Sequence, residues 1–192
     1  MKVKICGITN LDDALVAAEA GADYLGFIFY PPSKRAANPA EVEEIAQVLR
    51  QRPDCPILVG VFVNETAVHM ADVLHKCNLD LAQLHGEETP YMVNDTRSIL
   101  YGRAYKALRP QSIGEAEVEA EWFIAEAPVV RPSLMMDSYH PDLMGGTGEI
   151  SDWEIGKRMV KMTDGFMLAG GLTAANVAQA VREVRPFAVD VA

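Results

Sequence analysis

Short apolar runs alternate with amphipathic stretches along the whole chain. Val3 to Cys6 forms the first run and Gly7 ends it. Asn10 then stands where a helix N-cap belongs, ahead of Leu11, Ala14, Leu15 and Ala18 at helical spacing. The pattern repeats. Gly21 ends that helix, Tyr24 to Phe29 is a near-continuous apolar strand, Pro31-Pro32 forces a loop, and Pro39 suits the first turn of the next helix. "CPILVGVFVN" predicts a third strand with a helix from about Glu65, and "LDLAQLHG" a fourth with a helix over Pro90 to Leu100. "GRAYKAL", "PSLMMDS", "GFMLAGG" and "FAVDVA" continue as strands five to eight. Helices are expected at Asp152 to Lys161 and Ala174 to Glu183, while Gln111 to Glu121 is acidic and only weakly periodic.

Strands alternating with helices imply a parallel sheet, and continuous apolar strands suit a sheet covered on both faces. Eight such units predict a closed (β/α)8 TIM barrel, a single α/β domain over residues 1–192. An open dinucleotide-binding sheet would carry G-x-G-x-x-G after its first strand, and "CGITNLDD" does not. The fold usually takes about 200 residues or more. Because the eighth strand runs to Ala192, the barrel is expected to lack its last helix in this chain.

Composition narrows the function classes. The 49% hydrophobic content supports a real core, and a formal charge of −10 disfavours a nucleic-acid surface, which needs clustered Lys and Arg. Any bound phosphate is therefore held by local donors. Cys6, Cys55 and Cys77 lack metal-ligand spacing and read as reduced thiols, so no metal site and a cytoplasmic location are expected. No signal sequence or membrane-spanning run is evident, so no membrane partner is expected.

In such a barrel the chemistry sits at the carboxyl ends of the strands. Those ends carry Cys6, Asn64, His85, Asp137, Gly170, Gly171 and Asp190, with Arg35 in the second loop. Taken alone, Cys6 is a core residue and Asp137 a loop carboxylate that caps a backbone amide. The order and spacing of "KICGIT", "GADYLGFIFYPPSKR", "VGVFVN", "LAQLHG", "MMDS" followed by "GGTG", "LAGGLTAANV" and "VDVA" change that reading. Together they resemble the phosphoribosylanthranilate isomerase family over nearly the whole chain.

The resemblance implies a cofactor-free Amadori rearrangement in tryptophan biosynthesis, acting on a small phosphorylated substrate. It makes Cys6 the general base and Asp137 the general acid. Each role constrains a proton affinity: the thiol is either made more acidic by a nearby Lys or Arg or reacts in its minor thiolate form, and the carboxyl is kept protonated by burial or neighbouring charge. Arg35 would meet the anthranilate carboxylate, where Lys34 beside it is a solvated cation. Gly170 and Gly171, between a strand and a helix, would cradle the phosphate on backbone N–H groups. The family usually continues "VDVA" with a second phosphate-binding turn. His85 either touches the substrate or is a satisfied core histidine, and Gln83 shares its face of the strand. Asp190 either lines the pocket or fixes the closing strand. The glycines at 145, 146 and 148 suit either a lid or an ordinary turn.

Three other functions compete. A histidine-pathway isomerase performs the same rearrangement with two aspartates, and Cys6 argues against it. A Schiff-base aldolase would need a lysine on a strand's inner face, for which Lys106 is the candidate. A noncatalytic phosphate-binding barrel would bind without turnover. Nothing in the sequence marks an oligomer interface.

Overall fold

The computed structural model describes residues 1–125, 131–138 and 151–192. Eight parallel strands close into one barrel in sequence order, with β8 pairing back onto β1. The strands are β1 (Lys2–Cys6), β2 (Tyr24–Phe29), β3 (Ile57–Phe62), β4 (Leu81–Leu84), β5 (Ala104–Leu108), β6 (Leu134–Met136), β7 (Phe166–Leu168) and β8 (Ala188–Val191). Between them run α1 (Leu11–Glu19), α2 (Pro39–Leu49), α3 (Ala67–Lys76), α4 (Tyr91–Asn94), α5 (Ile113–Phe123), α6 (Trp153–Met159) and α7 (Val177–Val184). Among the described residues no helix is long and apolar enough to cross a membrane. The stretch Gly145-Gly146-Thr147-Gly148 lies outside the described residues.

Side chains of a strand alternate between its two faces, and this splits the core in two. The larger cluster fills the space between barrel and helices, with Leu25, Phe27, Leu58, Phe62, Leu84, Phe166 and Leu168 against Val42, Ile45, Met70, Leu74 and Ile155. The smaller fills the lumen with Tyr24, Val59, Leu81, Tyr105, Met135, Met167 and Ala188. Packed layers of this kind make the barrel interior a core rather than a pore.

Local chemistry sets most helix starts. Asn10 accepts from Asp13 N at 2.9 Å, Asn38 from Ala40 N at 3.0 Å, and Thr66 from His69 N at 3.2 Å. Ser112 accepts from Glu115 N, so the acidic stretch is a helix whose Ala116, Ala120 and Phe123 turn inward. Two expectations change. The predicted helix from Pro90 to Leu100 stops at Asn94. Asp95 there adopts an extended backbone and its carboxylate takes Arg97 N at 2.8 Å, while Asn94 Nδ2 donates to the carbonyls of Trp122 and Ile124. The last helix begins at Val177 rather than Ala174, because Asn176 folds back to accept from Thr173 N at 2.7 Å.

The amino-terminal end of the barrel is stitched by a repeated device. Asp23, just before β2, accepts Val3 N of β1 at 2.8 Å, and Asp80, just before β4, accepts Leu58 N of β3 at 2.7 Å. Each carboxylate also meets a cation, Lys2 and Arg50 respectively. Asp80→Ala should lower stability to urea by about 1–2 kcal/mol through loss of a charge-assisted bond at a half-exposed site. An unchanged unfolding midpoint would mean that packing alone holds that strand end.

Candidate active site

Alternation along the strands directs a polar set into the lumen. Cys6 and Lys4 share one face of β1, Gln83 and His85 one face at β4, and Asp137 and Asp190 follow from Met135 on β6 and Ala188 on β8. Register brings β1 and β8 together at Lys4 and Asp190, and β1 and β2 at Cys6 and Gly26. Six of the predicted site residues therefore gather at one end of the barrel: Cys6, Arg35, Gln83, His85, Asp137 and Asp190.

Cys6 is buried, and its strand ends in a turn that only glycine suits. Gly7 has φ +85°, and a Cβ there would fall 2.6 Å from Arg35 Nη1. Arg35 lies across it and donates to the Cys6 carbonyl at 3.0 Å. The guanidinium has further N–H donors beyond that bond. Opposite, Gly26 leaves room for the sulfur: a Cβ at Gly26 would sit 2.7 Å from Cys6 Sγ and 3.2 Å from Lys4 Nζ.

Lys4 is wholly buried and its Nζ donates to Asp190 Oδ2 at 2.9 Å. Burial opposes its charge, but Asp190, Cys6 and Tyr105 together raise its pKa, so it remains an ammonium. The other Asp190 oxygen, Oδ1, is buried and has no hydrogen-bond partner among the described residues. Burial pushes the Asp190 carboxyl up against the pull of Lys4.

Across the lumen a hydrogen-bond chain orients a histidine. Tyr105 OH donates to Gln83 Oε1 at 2.8 Å, which leaves the Gln83 Nε2 amide to donate to His85 Nδ1 at 2.9 Å. With Nδ1 accepting, the ring proton belongs on Nε2, which faces Asp137 Oδ2 at 3.2 Å. That approach is electrostatic rather than a well-formed hydrogen bond. Asp137 also accepts from Ser138 N at 2.8 Å and borders a 320 Å³ cavity with Gln111, Ser151 and Asp152.

For Cys6 the structure favours the second of the two expected routes, the minor thiolate form, and for Asp137 the expected tuning is corrected in sign. Burial is the largest influence on Cys6 and raises its thiol; Lys4 and Arg35 pull it down without overcoming that. Burial also raises Asp137, but His85, the Ser138 N–H and the Lys4 charge outweigh it and hold the carboxyl below its ordinary value. The free site therefore favours a thiol at Cys6 and a carboxylate at Asp137.

Gly170 and Gly171 stand between β7 and α7 with φ +90° and +59°. A Cβ on Gly170 would lie 2.7 Å from Ser138 N, so the β6 and β7 ends touch through it. Asn176 ties this turn to the helix by donating to Gly171 O at 2.9 Å. Lys34 is exposed, Cys55 half-buried with its thiol on Pro56 O, and Cys77 caps the end of α3.

The sequence reading missed Lys4 and misjudged Lys106. Lys106 faces outward from β5 toward Phe123 of α5, and its Nζ is held by Glu88 and by Gly86 O at 2.5 Å. Glu88 in turn accepts Asn64 N and Gly86 N, which braces the turn after His85. The lysine on an inner face is Lys4, a charge in an apolar strand two residues before Cys6. That spacing was the available signal.

A family model described as N-(5'phosphoribosyl)anthranilate (PRA) isomerase matches residues 3–192. N-(5'-phosphoribosyl)anthranilate isomerase of Trichlorobacter lovleyi is 42% identical over 191 residues, covering 100% of this chain and 86% of the relative. The solved phosphoribosyl anthranilate isomerase of Thermotoga maritima is 37% identical, with TM-score 0.79 over 100% of this chain and 87% of that one. A further solved isomerase, 36% identical with TM-score 0.79 over 100% of this chain and 86% of its own, is in complex with reduced 1-(o-carboxyphenylamino)-1-deoxyribulose 5-phosphate.

The steric role of Gly26 can be tested against a glycine with open space around it. Gly26→Ala should cost about 1–3 kcal/mol in urea unfolding, because a wall strand paired on both sides cannot retreat. Gly114→Ala, where nothing lies within 4 Å of the added carbon, should stabilise by about 0.5–1 kcal/mol. Equal effects of the two would remove the argument for crowding at Cys6.

Proposed function

The chain belongs to the N-(5'-phosphoribosyl)anthranilate isomerase family, and we propose that Cys6 and Asp137 are its general base and general acid. The enzyme is an isomerase of tryptophan biosynthesis, converting N-(5-phosphoribosyl)anthranilate to 1-(2-carboxyphenylamino)-1-deoxyribulose 5-phosphate. The observation that supports the assignment of roles is that a thiol from β1 and a carboxyl from the end of β6 face one lumen at the carboxyl ends of the strands.

The reaction needs a proton delivered and a proton removed. Asp137 gives its proton to the furanose ring oxygen as the C1–O bond breaks, and the anthranilate nitrogen supplies the electron pair that forms the Schiff base. The Cys6 thiolate then takes the C2 proton, and the C2–H electrons flow to the iminium to give an enolamine. Tautomerisation of the enol yields the ketone. Arg35, beside Cys6, is suited to the anthranilate carboxylate. Gly170 and Gly171, leading into α7, are suited to the phosphate. His85 orients the Asp137 carboxyl, and Asp190 Oδ1 offers a substrate hydroxyl an acceptor. Three free thiols support a reducing, cytoplasmic setting.

One proton serves both groups. Turnover requires thiolate and carboxylic acid, whereas the free site favours thiol and carboxylate, with the same total charge. The active fraction is then independent of pH between the two pKa values, since both forms hold one proton. The profile of kcat/KM should be a broad plateau, falling in acid as Asp137 is protonated while Cys6 keeps its proton, and in alkali as Cys6 loses the one proton the pair holds.

Cys6→Ser and Asp137→Asn should each lower kcat by about 100-fold or more, read as loss of anthranilate-type fluorescence on freshly generated substrate. Full turnover by either variant would overturn that residue's role. A narrow optimum in place of the plateau would overturn the shared-proton reading.

A further inference from the structure

Among the described residues, Lys4 is a buried charge in the lumen to which the mechanism gives no task. Lys4 lies in the lumen beside the sulfur, and no surface need explains an ammonium at 0% exposure. Burying a charge is costly unless it is paired, and Asp190 supplies the pair at 2.9 Å. Replacing a buried ion pair with apolar residues of similar volume is often neutral or stabilising, and the other strands fill the lumen with Val59, Leu81 and Met167. The geometry around the sulfur shows what the cation does. A carbon placed at Gly26 would touch Sγ at 2.7 Å, Lys4 Cε at 3.1 Å and Lys4 Nζ at 3.2 Å, so all three line the same small gap in the wall.

We propose that Lys4 is a positioning residue for the base: its buried ammonium, anchored by Asp190, stabilises the Cys6 thiolate that removes the C2 proton. This rests on Cys6 acting as the base. In chemical terms the Cys6 S–H proton passes to the Asp137 carboxylate, leaving thiolate and carboxylic acid. After the C2 proton reaches sulfur and the Asp137 proton reaches the ring oxygen, thiol and carboxylate are restored. Lys4 keeps its own protons throughout.

The charged and titratable groups facing Cys6 come from four elements. Lys4 on β1 and Arg35 after β2 favour the thiolate, Asp190 on β8 opposes it, and Tyr105 on β5 couples to the sulfur from across the lumen. Asp137 and His85 act on Asp190. Lys4 and Asp190 therefore push the thiol in opposite directions although they form one ion pair. Damage from breaking a merely structural pair would disturb Cys6 in the same way whichever partner is removed, and this supplies the test.

The experiment is the pH dependence of iodoacetamide alkylation at Cys6, resolved from Cys55 and Cys77 by peptide mapping, in Lys4→Met, Asp190→Asn and the double variant. Lys4→Met should move the Cys6 titration upward by about one pH unit or more, slowing alkylation near neutrality about tenfold, with a parallel loss of kcat/KM. Asp190→Asn should move it downward. The double variant, which leaves no unpaired buried charge, should titrate above the parent protein, since the lysine outweighs the aspartate. It carries the test if Lys4→Met does not fold. A Cys6 midpoint unmoved by loss of Lys4, or moved the same way by both single substitutions, would overturn the proposal. Turnover retained in Cys6→Ser would instead overturn the base assignment, whatever the alkylation profile shows.

Discussion

The contact on which the site depends joins the two ends of the described chain. Lys4 on β1 and Asp190 on β8 meet at 2.9 Å where the barrel closes, 186 positions apart in sequence. A buried ion pair contributes little net stability compared with apolar packing, but removing one partner costs about 3–5 kcal/mol. Such a pair therefore specifies an arrangement more than it stabilises one. The closing register is already set by backbone ladders from Lys2 opposite Ala188 to Ile5 opposite Val191. What the ion pair adds is a positive charge held at a fixed place in the lumen, next to a sulfur whose thiolate form burial disfavours.

The rest of the mouth is built around that constraint by removing atoms and by adding donors. Gly26 removes a side chain where sulfur and ammonium share space, and its carbonyl accepts both Gly7 N and Ile8 N, which turns the chain away after Cys6. Gly7 removes another where Arg35 crosses. On the far side, Tyr105, Gln83 and His85 form a directed chain whose last N–H faces Asp137. The first chain places a cation by the base and the second places an imidazole by the acid. At the opposite end of the barrel, Asp23 and Asp80 cap strand amides. Chemistry and stability thus occupy opposite ends of one sheet.

Much of this was legible because a parallel barrel strand has a simple code. Period two puts Gln83 and His85 together, and strand ends locate Cys6, Asp137 and Asp190 without any long-range information. The helix from Pro90 failed because Asp95, Arg97 and Asn94 find partners outside a helix, and residue periodicity does not reveal such competition. The later start of α7 has the same cause in Asn176. Lys4 was passed over because a charge in an apolar strand looks like an edge residue until β8 is placed beside it. The direction of tuning was open between two routes at Cys6 and was not legible at Asp137. It depends on burial and on His85, contributed by three different strands.

That reversed tuning changes how the site works rather than whether it can. A thiol raised by burial and a carboxyl lowered by an imidazole still hold one proton between them, which is the number the reaction needs. Making the working form requires moving that proton from sulfur to carboxylate, and each pH unit between the two affinities lowers its population about tenfold. A cation beside the sulfur narrows the gap; a second carboxylate beside it widens the gap. The lumen contains both, paired to each other, so the ammonium can be buried without being left uncompensated and the thiolate still feels the lysine more than the aspartate. Asp190 is in this sense the anchor that permits Lys4 to act, at the expense of part of its effect.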